Sequence, residues 1–492
     1  MKVVFRFILI LAMTLLIAQS AIVRSSQNPN SQSRAGRTRP NIVLILAGDL
    51  GFGDLACYGG AKILTPHIDQ LARDGVRFTD FHSASAVCSP ARASILTGRY
   101  PARFGFAREF RDTKEEFLPR DTVTLPKLLK QAGYATAHVG AWRLGGLRKS
   151  DIAARASGSP GPPGLMEHGF DHYLSMNEEM EPRARLVRDR SVYRQGGQYL
   201  FRDDKPAPSS NEHLTEIEIA EAENLIEAFH KQRQPFFLNV WFDSPHEPYE
   251  PAVDQYLKPY EGKAAGDDLF YRSMVTHLDA GVGRILAKLK QLSIADNTLI
   301  VFTSDNGATG PGSNAPLRGG KGTLFEGGIR VPMIAVWPGR IRPGTTSNEF
   351  AISMDLAPTL CEAAGAPLSK DFYSDGQSLL GHLRTGRRIA AREAAFWWME
   401  EYPNFQQRHD EPRPFATEAV RWGRWKMLAR NGQPLALYYL ENDPGERRNV
   451  LEQEKRISDD LARELRAWLS AMKMRAIAVA TSPLPPRSQL PK

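Results

Sequence analysis

The chain is poor in cysteine, since its 492 residues include only Cys57, Cys88 and Cys361. An odd and small number of cysteines excludes the disulfide framework that holds many small secreted domains together. At least one thiol is therefore unpaired or modified. We interpret Cys57 and Cys361 as buried structural thiols, whereas the surroundings of Cys88 indicate a different role.

Long apolar runs are scarce as well. The longest, residues 7–18, follows two basic residues and is too short to span a membrane. This arrangement is typical of a secretory signal peptide, which we predict over residues 1–21, followed by a flexible leader over residues 22–38. We therefore expect a secreted or periplasmic protein with no stable membrane association after cleavage. An uncleaved N-terminal anchor is the alternative.

Clustered charge of one sign is also missing. The formal net charge is +8, but lysine and arginine are dispersed along the chain, without an arginine-rich arm or zinc-finger spacing. This distribution argues against nucleic-acid binding, while a positive surface attracts anionic substrates. The hydrophobic fraction of 42% and the charged fraction of 24% are ordinary for a globular protein of about two or three domains.

Several short apolar runs are present, and each ends in a polar or glycine-rich turn. They cover residues 41–47, 134–139, 236–242, 299–304 and 334–337. Continuous runs of this length are typical of strands buried on both faces of a parallel sheet. Helical patterns lie between them, over residues 125–132, 215–232 and 273–292. Strands that alternate with helices predict an α/β fold.

Two further regions depart from this pattern. Residues 145–208 are rich in glycine, proline and arginine, which predicts an inserted surface loop, and Thr215 with Glu218 predicts a capping box at the next helix. After about residue 385, short antiparallel strands are expected over 419–428 and 435–440, and a closing helix over 450–474. The predicted domains are thus a large α/β domain over 39–385, a small α+β domain over 386–480 and a disordered tail over 481–492.

Polar residues follow the ends of three predicted strands. Asp49 follows the first strand, His246 lies in the turn after 236–242, and Asp305 and Asn306 follow 299–304. Ligands bind at the carboxyl edge of open α/β sheets, and carboxylate and amide oxygens suit calcium or magnesium. Taken singly, each residue is also a common turn former.

Cys88 lies at the predicted start of a helix. Pro90 suits the first helical position, and Gly98 suits the residue that ends the helix. The free N–H groups of a helix N-terminus favour an anion, and Arg92 can reach toward the same anion. A buried structural cysteine does not need this setting.

The segment around Cys88, together with several others, resembles a known family, the formylglycine-dependent (type I) sulfatases of the arylsulfatase type. The resemblance is carried by the segments 41–54, 88–92 (the Cys-x-Pro-x-Arg motif), 96–99, 244–248, 304–307, 316–332 and 438–446, in the order of the family. It covers about residues 39–470. It implies an alkaline-phosphatase-like α/β fold, with a mixed, mostly parallel sheet flanked by helices, and a small α+β C-terminal domain.

The resemblance also implies a chemistry, the hydrolysis of aryl or carbohydrate sulfate esters. A separate formylglycine-generating enzyme would oxidise Cys88 to formylglycine, and one calcium ion would bind beside it. By resemblance, the metal ligands are Asp49, Cys88, Asp305 and Asn306, and the catalytic residues are Cys88, Arg92, His246 and Lys321. The expected partner is a sulfated small molecule or glycan.

Three positions depart from the family pattern. Gly48, Ala141 and Arg143 stand where the family has an aspartate, a lysine and a histidine. Arginine stays protonated and cannot act as a base. The sequence therefore leaves two interpretations open: a sulfatase, and a catalytically impaired homologue that binds sulfated ligands without efficient turnover. A phosphoesterase with a serine or threonine nucleophile is a third interpretation, against which Cys88 argues.

Overall fold

The computed structural model describes residues 39–110, 116–159, 161–176, 200–208, 210, 212–368, 372–401 and 415–481, with side chains described up to residue 472. The predicted signal peptide, the leader and the tail beyond residue 481 lie outside these residues. Within the described part of the chain, no helix is long and apolar enough to cross a membrane.

The described strands are β1 (Asn41–Ala47), β2 (Val76–Phe78), β3 (Phe81–His82), β4 (Ala135–Gly140), β5 (His172–Met176), β6 (Leu200–Arg202), β7 (Lys205–Pro206), β8 (Phe236–Phe242), β9 (Thr298–Ser304), β10 (Met333–Val336), β11 (Thr345–Ser347), β12 (Ala351–Ile352), β13 (Ala395–Trp398), β14 (Glu418–Trp422), β15 (Trp425–Arg430) and β16 (Gln433–Tyr439). The described α-helices are α1 (Pro66–Asp74), α2 (Cys88–Thr97), α3 (Leu125–Gln131), α4 (Lys149–Ala156), α5 (Leu214–Lys231), α6 (Asp254–Leu257), α7 (Gly266–Gln291), α8 (Glu326–Ile329), α9 (Leu356–Ala364), α10 (Leu380–Thr385) and α11 (Lys455–Thr481).

The central sheet has the strand order β11-β2-β10-β9-β1-β8-β4-β5-β6-β7. The five strands from β9 to β5 are parallel to one another, which confirms the predicted mostly parallel sheet. One expectation is wrong: the run 334–337 was expected in a parallel sheet, but β10 pairs antiparallel with both β9 and β2. A short apolar run does not encode strand direction, because direction depends on the path of the preceding connection.

Strand β1 shows why the centre of the sheet is apolar on both faces. Alternate side chains of a strand point to opposite faces. Ile42, Leu44 and Leu46 join one hydrophobic cluster, and the residues between them join the cluster on the other face. Full burial of one such side chain contributes about 1.5–3 kcal/mol. Helices cover both faces, and this layering fixes β1 in the middle of the domain.

The capping box predicted for α5 is not formed. The helix begins at Leu214, and the residue before it, His213, accepts the backbone N–H of Thr215 at Nδ1. The Thr215 hydroxyl instead lies 2.8 Å from that of Ser244, and Glu218 accepts the backbone N–H of Asp243 at 3.3 Å. Both polar residues therefore hold the loop that follows β8.

The described parts of the region 145–208, which are residues 145–159, 161–176 and 200–208, contain more regular secondary structure than the sequence predicts. They contribute α4 and the strands β5, β6 and β7, and β5 pairs in parallel with β4. The prediction of an inserted surface loop is therefore wrong for these segments. Strands of two to five residues are too short to show a recognisable alternation of apolar and polar residues in a region rich in glycine and proline.

The small C-terminal sheet is antiparallel, in the order β13-β14-β15-β16, and α11 packs on one of its faces. The strand predicted over 419–428 is two strands, since the chain turns at Gly423, which has a φ of 58°. The other face packs against the part of the chain that carries the central sheet. The predicted α+β character of this region is confirmed.

Candidate active site

Four loops converge at one edge of the central sheet. The neighbouring strands β4, β8, β1 and β9 are parallel, so their carboxyl ends meet at the same edge. The loops begin at Ala141, Asp243, Gly48 and Asp305. They bring together the residues that sequence analysis singled out after separate strands.

Cys88 is the first residue of α2 and is fully buried. Its Sγ lies 3.6 Å from Oδ1 of Asp49. Burial, together with the acidic neighbours, raises the pKa of the Cys88 thiol well above its usual range, although Lys321 opposes this. Gly98 ends the helix in the left-handed region with a φ of 67°, as predicted. Pro90 is the third helical residue rather than the first, because the helix begins at the cysteine itself.

Asp49, Asp305 and Asn306 form a compact group beside this thiol. The Asp49 backbone N–H donates to Oδ1 of Asp305 at 3.0 Å, and Asn306 Nδ2 lies 2.8 Å from Asp49 Oδ1. Among the described residues, the buried Oδ1 of Asn306 has no hydrogen-bond partner. Burial raises the pKa of Asp49, and Asp305 adds to this while Lys321 opposes it. Two crowded carboxylates and an unpartnered amide oxygen are the donors that a calcium ion takes.

Arg92 forms an ion pair with Asp305. Its Nη2 and Nε are 2.8 and 3.1 Å from Oδ2 of that carboxylate, and its Nη1 donates to the carbonyl of Ala141. The guanidinium also lies over the ring of Trp241, 5.2 Å from the ring centroid. The arginine of the Cys-x-Pro-x-Arg motif therefore connects α2 to the loops that follow β9 and β4.

Lys321 contacts both Asp49 and His246. Its Nζ lies 2.8 Å from Asp49 Oδ2 and 3.0 Å from Nε2 of His246. Its backbone N–H donates to Ala308, and the next residue donates to the carbonyl of Ala86 at 2.8 Å. The lysine loop is thereby attached both to the segment before Cys88 and to the loop after β9.

His246 has a defined tautomer in this arrangement. Its Nδ1 contacts the backbone carbonyl of Glu247, which can only accept a hydrogen bond, so Nδ1 carries the proton. Its Nε2 therefore accepts from Lys321. Ligand atoms of His246, Asp49 and Cys88 all lie within 4.8 Å of one another.

The three positions at which we expect a departure from the family pattern, 48, 141 and 143, lie on the loops after β1 and β4. Ala141 is buried, and its backbone N–H donates to Trp241 at 2.9 Å. A Cβ added to Gly48 would lie 2.9 Å from the backbone oxygen of Asp243. Arg143 has a φ of 56° and a side chain that is 10% exposed.

Arg143 is held by two carboxylates that the sequence did not single out. Its Nη1 lies 2.9 Å from Glu109, and its Nη2 lies 3.1 Å from Asp243. Burial alone lowers the pKa of the guanidinium, but the Cys88 and Glu109 acids outweigh it, so the pKa ends above its usual value. Asp243 could have been found because it ends a strand, whereas no local pattern marks Glu109.

The three cysteines are all unpaired, whereas the sequence requires this of at least one. Cys361 is fully buried, which fits a structural thiol. The expectation of burial is wrong for Cys57, which is only partly buried. It lies in a surface turn, where its backbone N–H donates to Asp69 at 2.8 Å.

The sequence profile of the sulfatase family matches residues 40–366, and that of the N-sulphoglucosamine sulphohydrolase C-terminal region matches residues 320–475. The chain belongs to the sulfatase family. It is 33% identical to N-acetylgalactosamine-6-sulfatase of Homo sapiens, over 83% of this chain and 81% of that protein. It is 35% identical to arylsulfatase A of Homo sapiens, over 84% of this chain and 83% of that protein.

Solved structures of sulfatases share the fold. Ps i-CgsB in complex with k-i-k-neocarrahexaose superposes with a TM-score of 0.74 and 27% identity, over 90% of this chain and 98% of that one. The PsFucS1 sulfatase from Pseudoalteromonas sp. gives a TM-score of 0.72 and 26% identity, over 90% and 92% of the two chains. The alkaline-phosphatase-like α/β fold expected from the sequence is therefore confirmed.

Proposed function

We propose that this sulfatase-family protein hydrolyses sulfate esters with a formylglycine derived from Cys88 and one calcium ion. The observation that carries the proposal is the position of the Cys88 thiol, at a buried helix N-terminus and 3.6 Å from Asp49. When present, formylglycine supplies an oxygen nucleophile at this position. The phosphoesterase interpretation lacks such support, because the residue at the helix N-terminus is the cysteine.

The proposed calcium ligands are Asp49, Asp305, Asn306 and the modified Cys88. The unpartnered Oδ1 of Asn306 and the raised pKa of Asp49 both favour a cation here. Arg92 and Lys321 already neutralise one oxygen of each carboxylate. The lost carboxylate at Gly48 therefore leaves a weaker metal site, in which water fills the remaining positions.

The proposed sulfate-binding groups are cationic or polar side chains on the loops around Cys88. Lys321 and His246 lie on one side, and Arg143 reaches in from the loop after β4. Among the described residues, the buried Nε of Arg143 has no acceptor. A guanidinium binds oxyanions strongly through charge-assisted hydrogen bonds, so Arg143 suits the binding of sulfate better than proton transfer.

An impaired homologue that retains sulfated ligands is the second candidate, and Arg143 is the observation that favours it. Its contacts with Glu109 and Asp243 and its raised pKa keep the side chain charged. A group that remains protonated cannot remove a proton at any accessible pH. In this case the site would bind the ester, cleave it slowly and release sulfate more slowly still.

A pre-steady-state assay with an aryl sulfate and calcium separates the two candidates. The protein is first analysed by mass spectrometry to establish conversion of Cys88. Sustained turnover that Cys88→Ala abolishes supports a working sulfatase, and a single burst supports slow sulfate release. That burst, or complete inactivity of converted, calcium-loaded protein with retained binding of the aryl sulfate, supports the impaired homologue.

We propose further that the natural substrate is a carbohydrate sulfate and that the protein is exported. One relative is named N-acetylgalactosamine-6-sulfatase, and one structural neighbour contains a carrahexaose. The residue 1–21 segment has the composition of a signal peptide. Release of sulfate from sulfated oligosaccharides, measured beside the aryl sulfate, tests the substrate class. N-terminal sequencing of the exported protein tests cleavage.

A further inference from the structure

A polar cavity of about 240 Å³ lies where the β2–β3 connection meets the C-terminal sheet. None of its lining residues belongs to the candidate active site. Arginines dominate the lining, which includes Arg330, Arg421 and Arg424 together with Asn348. Asp80 and Glu441 are the acidic residues of the lining, so cations outnumber anions.

The negative charge of Asp80, one of the lining residues, is already neutralised by neighbouring arginines. Asp80 accepts from both terminal nitrogens of Arg421, at 2.8 and 2.7 Å, and from Arg424 at 3.0 Å. Burial raises the pKa of Asp80, but Arg421 outweighs this effect and holds the pKa at about 2. The carboxylate is therefore ionised and occupied by guanidinium groups, which excludes it as the ligand of a metal cation.

Some N–H groups of the other lining residues have no acceptor among the described residues. Within this part of the chain Arg424 donates through Nη1 alone, to Asp80, and its side chain is 38% exposed. Arg330 donates through Nε to Thr79 and through Nη1 to Glu326, which leaves its Nη2 without an acceptor among the described residues. The side-chain amide of Asn348 also meets no partner within the described part of the chain. The cavity thus presents several unused N–H donors and a positive balance of charge.

We infer that this cavity is a second anion site, which binds a sulfate group away from the catalytic centre. Planar guanidinium groups offer paired donors that match the oxygens of a tetrahedral oxyanion. The choice of sulfate rests on the proposed function, since a substrate with several sulfate groups would present one to each site. The same chemistry also binds free inorganic sulfate.

Crystals soaked in selenate test the site directly, because selenium gives an anomalous signal and selenate has the shape and charge of sulfate. An anomalous peak within hydrogen-bond distance of Arg330 and Arg424 is expected. The peak should be weaker in Arg424→Gln and unchanged in the control Arg388→Gln, whose side chain is 91% exposed and lies outside the cavity. A cavity without a peak, at a selenate concentration that fills the pocket beside Lys321, overturns the inference.

Calorimetric titration distinguishes the two sources of the anion. Arg424→Gln should weaken one class of sulfate sites about tenfold, the value of one charge-assisted hydrogen bond, and leave the other unchanged. Tighter binding of a sulfated disaccharide than of inorganic sulfate at this site identifies the glycan as the source, and equal binding identifies the free ion. An unchanged titration contradicts the site. Selenate in the cavity but absent beside Lys321 would support this inference and count against the proposed function.

Discussion

Replacing Arg143 with histidine tests whether this residue limits turnover. The change exchanges a permanently charged guanidinium for an imidazole that can accept a proton near neutral pH. A positive φ of 56° is tolerated by histidine better than by most residues. General base catalysis contributes about 10²–10⁴-fold, so we expect Arg143→His to raise the steady-state rate on an aryl sulfate by up to that factor. Ala141→Lys should add to the gain by restoring a cation for sulfate.

The same substitution has a structural cost that can be worked from the contacts. Arg143 is 10% exposed, and the carboxylates it pairs with, Glu109 and Asp243, are 15% and 4% exposed. Removing one partner of a buried ion pair costs about 3–5 kcal/mol. We therefore expect Arg143→His alone to unfold at lower denaturant concentration, and Glu109→Gln to recover part of the loss in the double variant.

The assay compares single-turnover and steady-state rates in protein whose Cys88 conversion and calcium content have been measured. The expected result is a burst in the wild type that disappears in Arg143→His, because sulfate release is no longer slow. If the folded and converted variants, including Arg143→His with Ala141→Lys, keep the wild-type rates, Arg143 does not limit the reaction. The single variant Glu109→Gln is the control, because it shows the effect on the rates of removing this carboxylate while Arg143 is retained.

Three other perturbations have defined outcomes. Gly48→Asp should lower stability and calcium affinity rather than restore the metal site, because its Cβ would lie 2.9 Å from the Asp243 backbone oxygen; a tighter calcium Kd by titration would contradict this. Burial raises the pKa of the Asp279 carboxyl to about 7, so between about pH 4 and 7 this group is protonated in the folded state and ionised in the unfolded state. The free energy of unfolding should therefore fall as the pH rises through this range. In Asp279→Asn, the free energy of unfolding measured by denaturation should depend less steeply on pH. Lys426→Met should destabilise the fold by about 3–5 kcal/mol, because Lys426 lies between the fully buried carboxylates of Glu326 and Glu446; the exposed Lys455→Met is the control in the same denaturation experiment.

The sequence was sufficient to predict the centre of the fold, because burial on both faces leaves an unbroken apolar run. The bounds of β1 and β8 agree with the predicted runs 41–47 and 236–242. Strands at the edges and in the region 145–208 were missed, since they are short and half-exposed. Strand β13 was also missed, although its aromatic residues alternate between buried and partly exposed positions.

The candidate site was predictable where each residue follows a strand. The parallel order of β4, β8, β1 and β9 brings Asp49, Asp305 and His246 to one edge without any long-range information beyond the strand direction. The partners of Arg143 could not be predicted in this way. Glu109 lies in an irregular segment, and its approach to the site depends on how that segment packs over α2, which no periodicity encodes.

Asp243 connects Gly48 and Arg143, two of the three positions at which we expect a departure from the family pattern. Its backbone oxygen occupies the space that a side chain at position 48 would need, while its carboxylate binds Arg143 at 3.1 Å. A histidine at 143 would leave this carboxylate without its present cation, and an aspartate at 48 would add a second acidic group beside it. The glycine and the arginine are therefore mutually compatible in charge and in space. Because both positions contact Asp243, we expect that substitutions at 48 and 143 will not have additive effects.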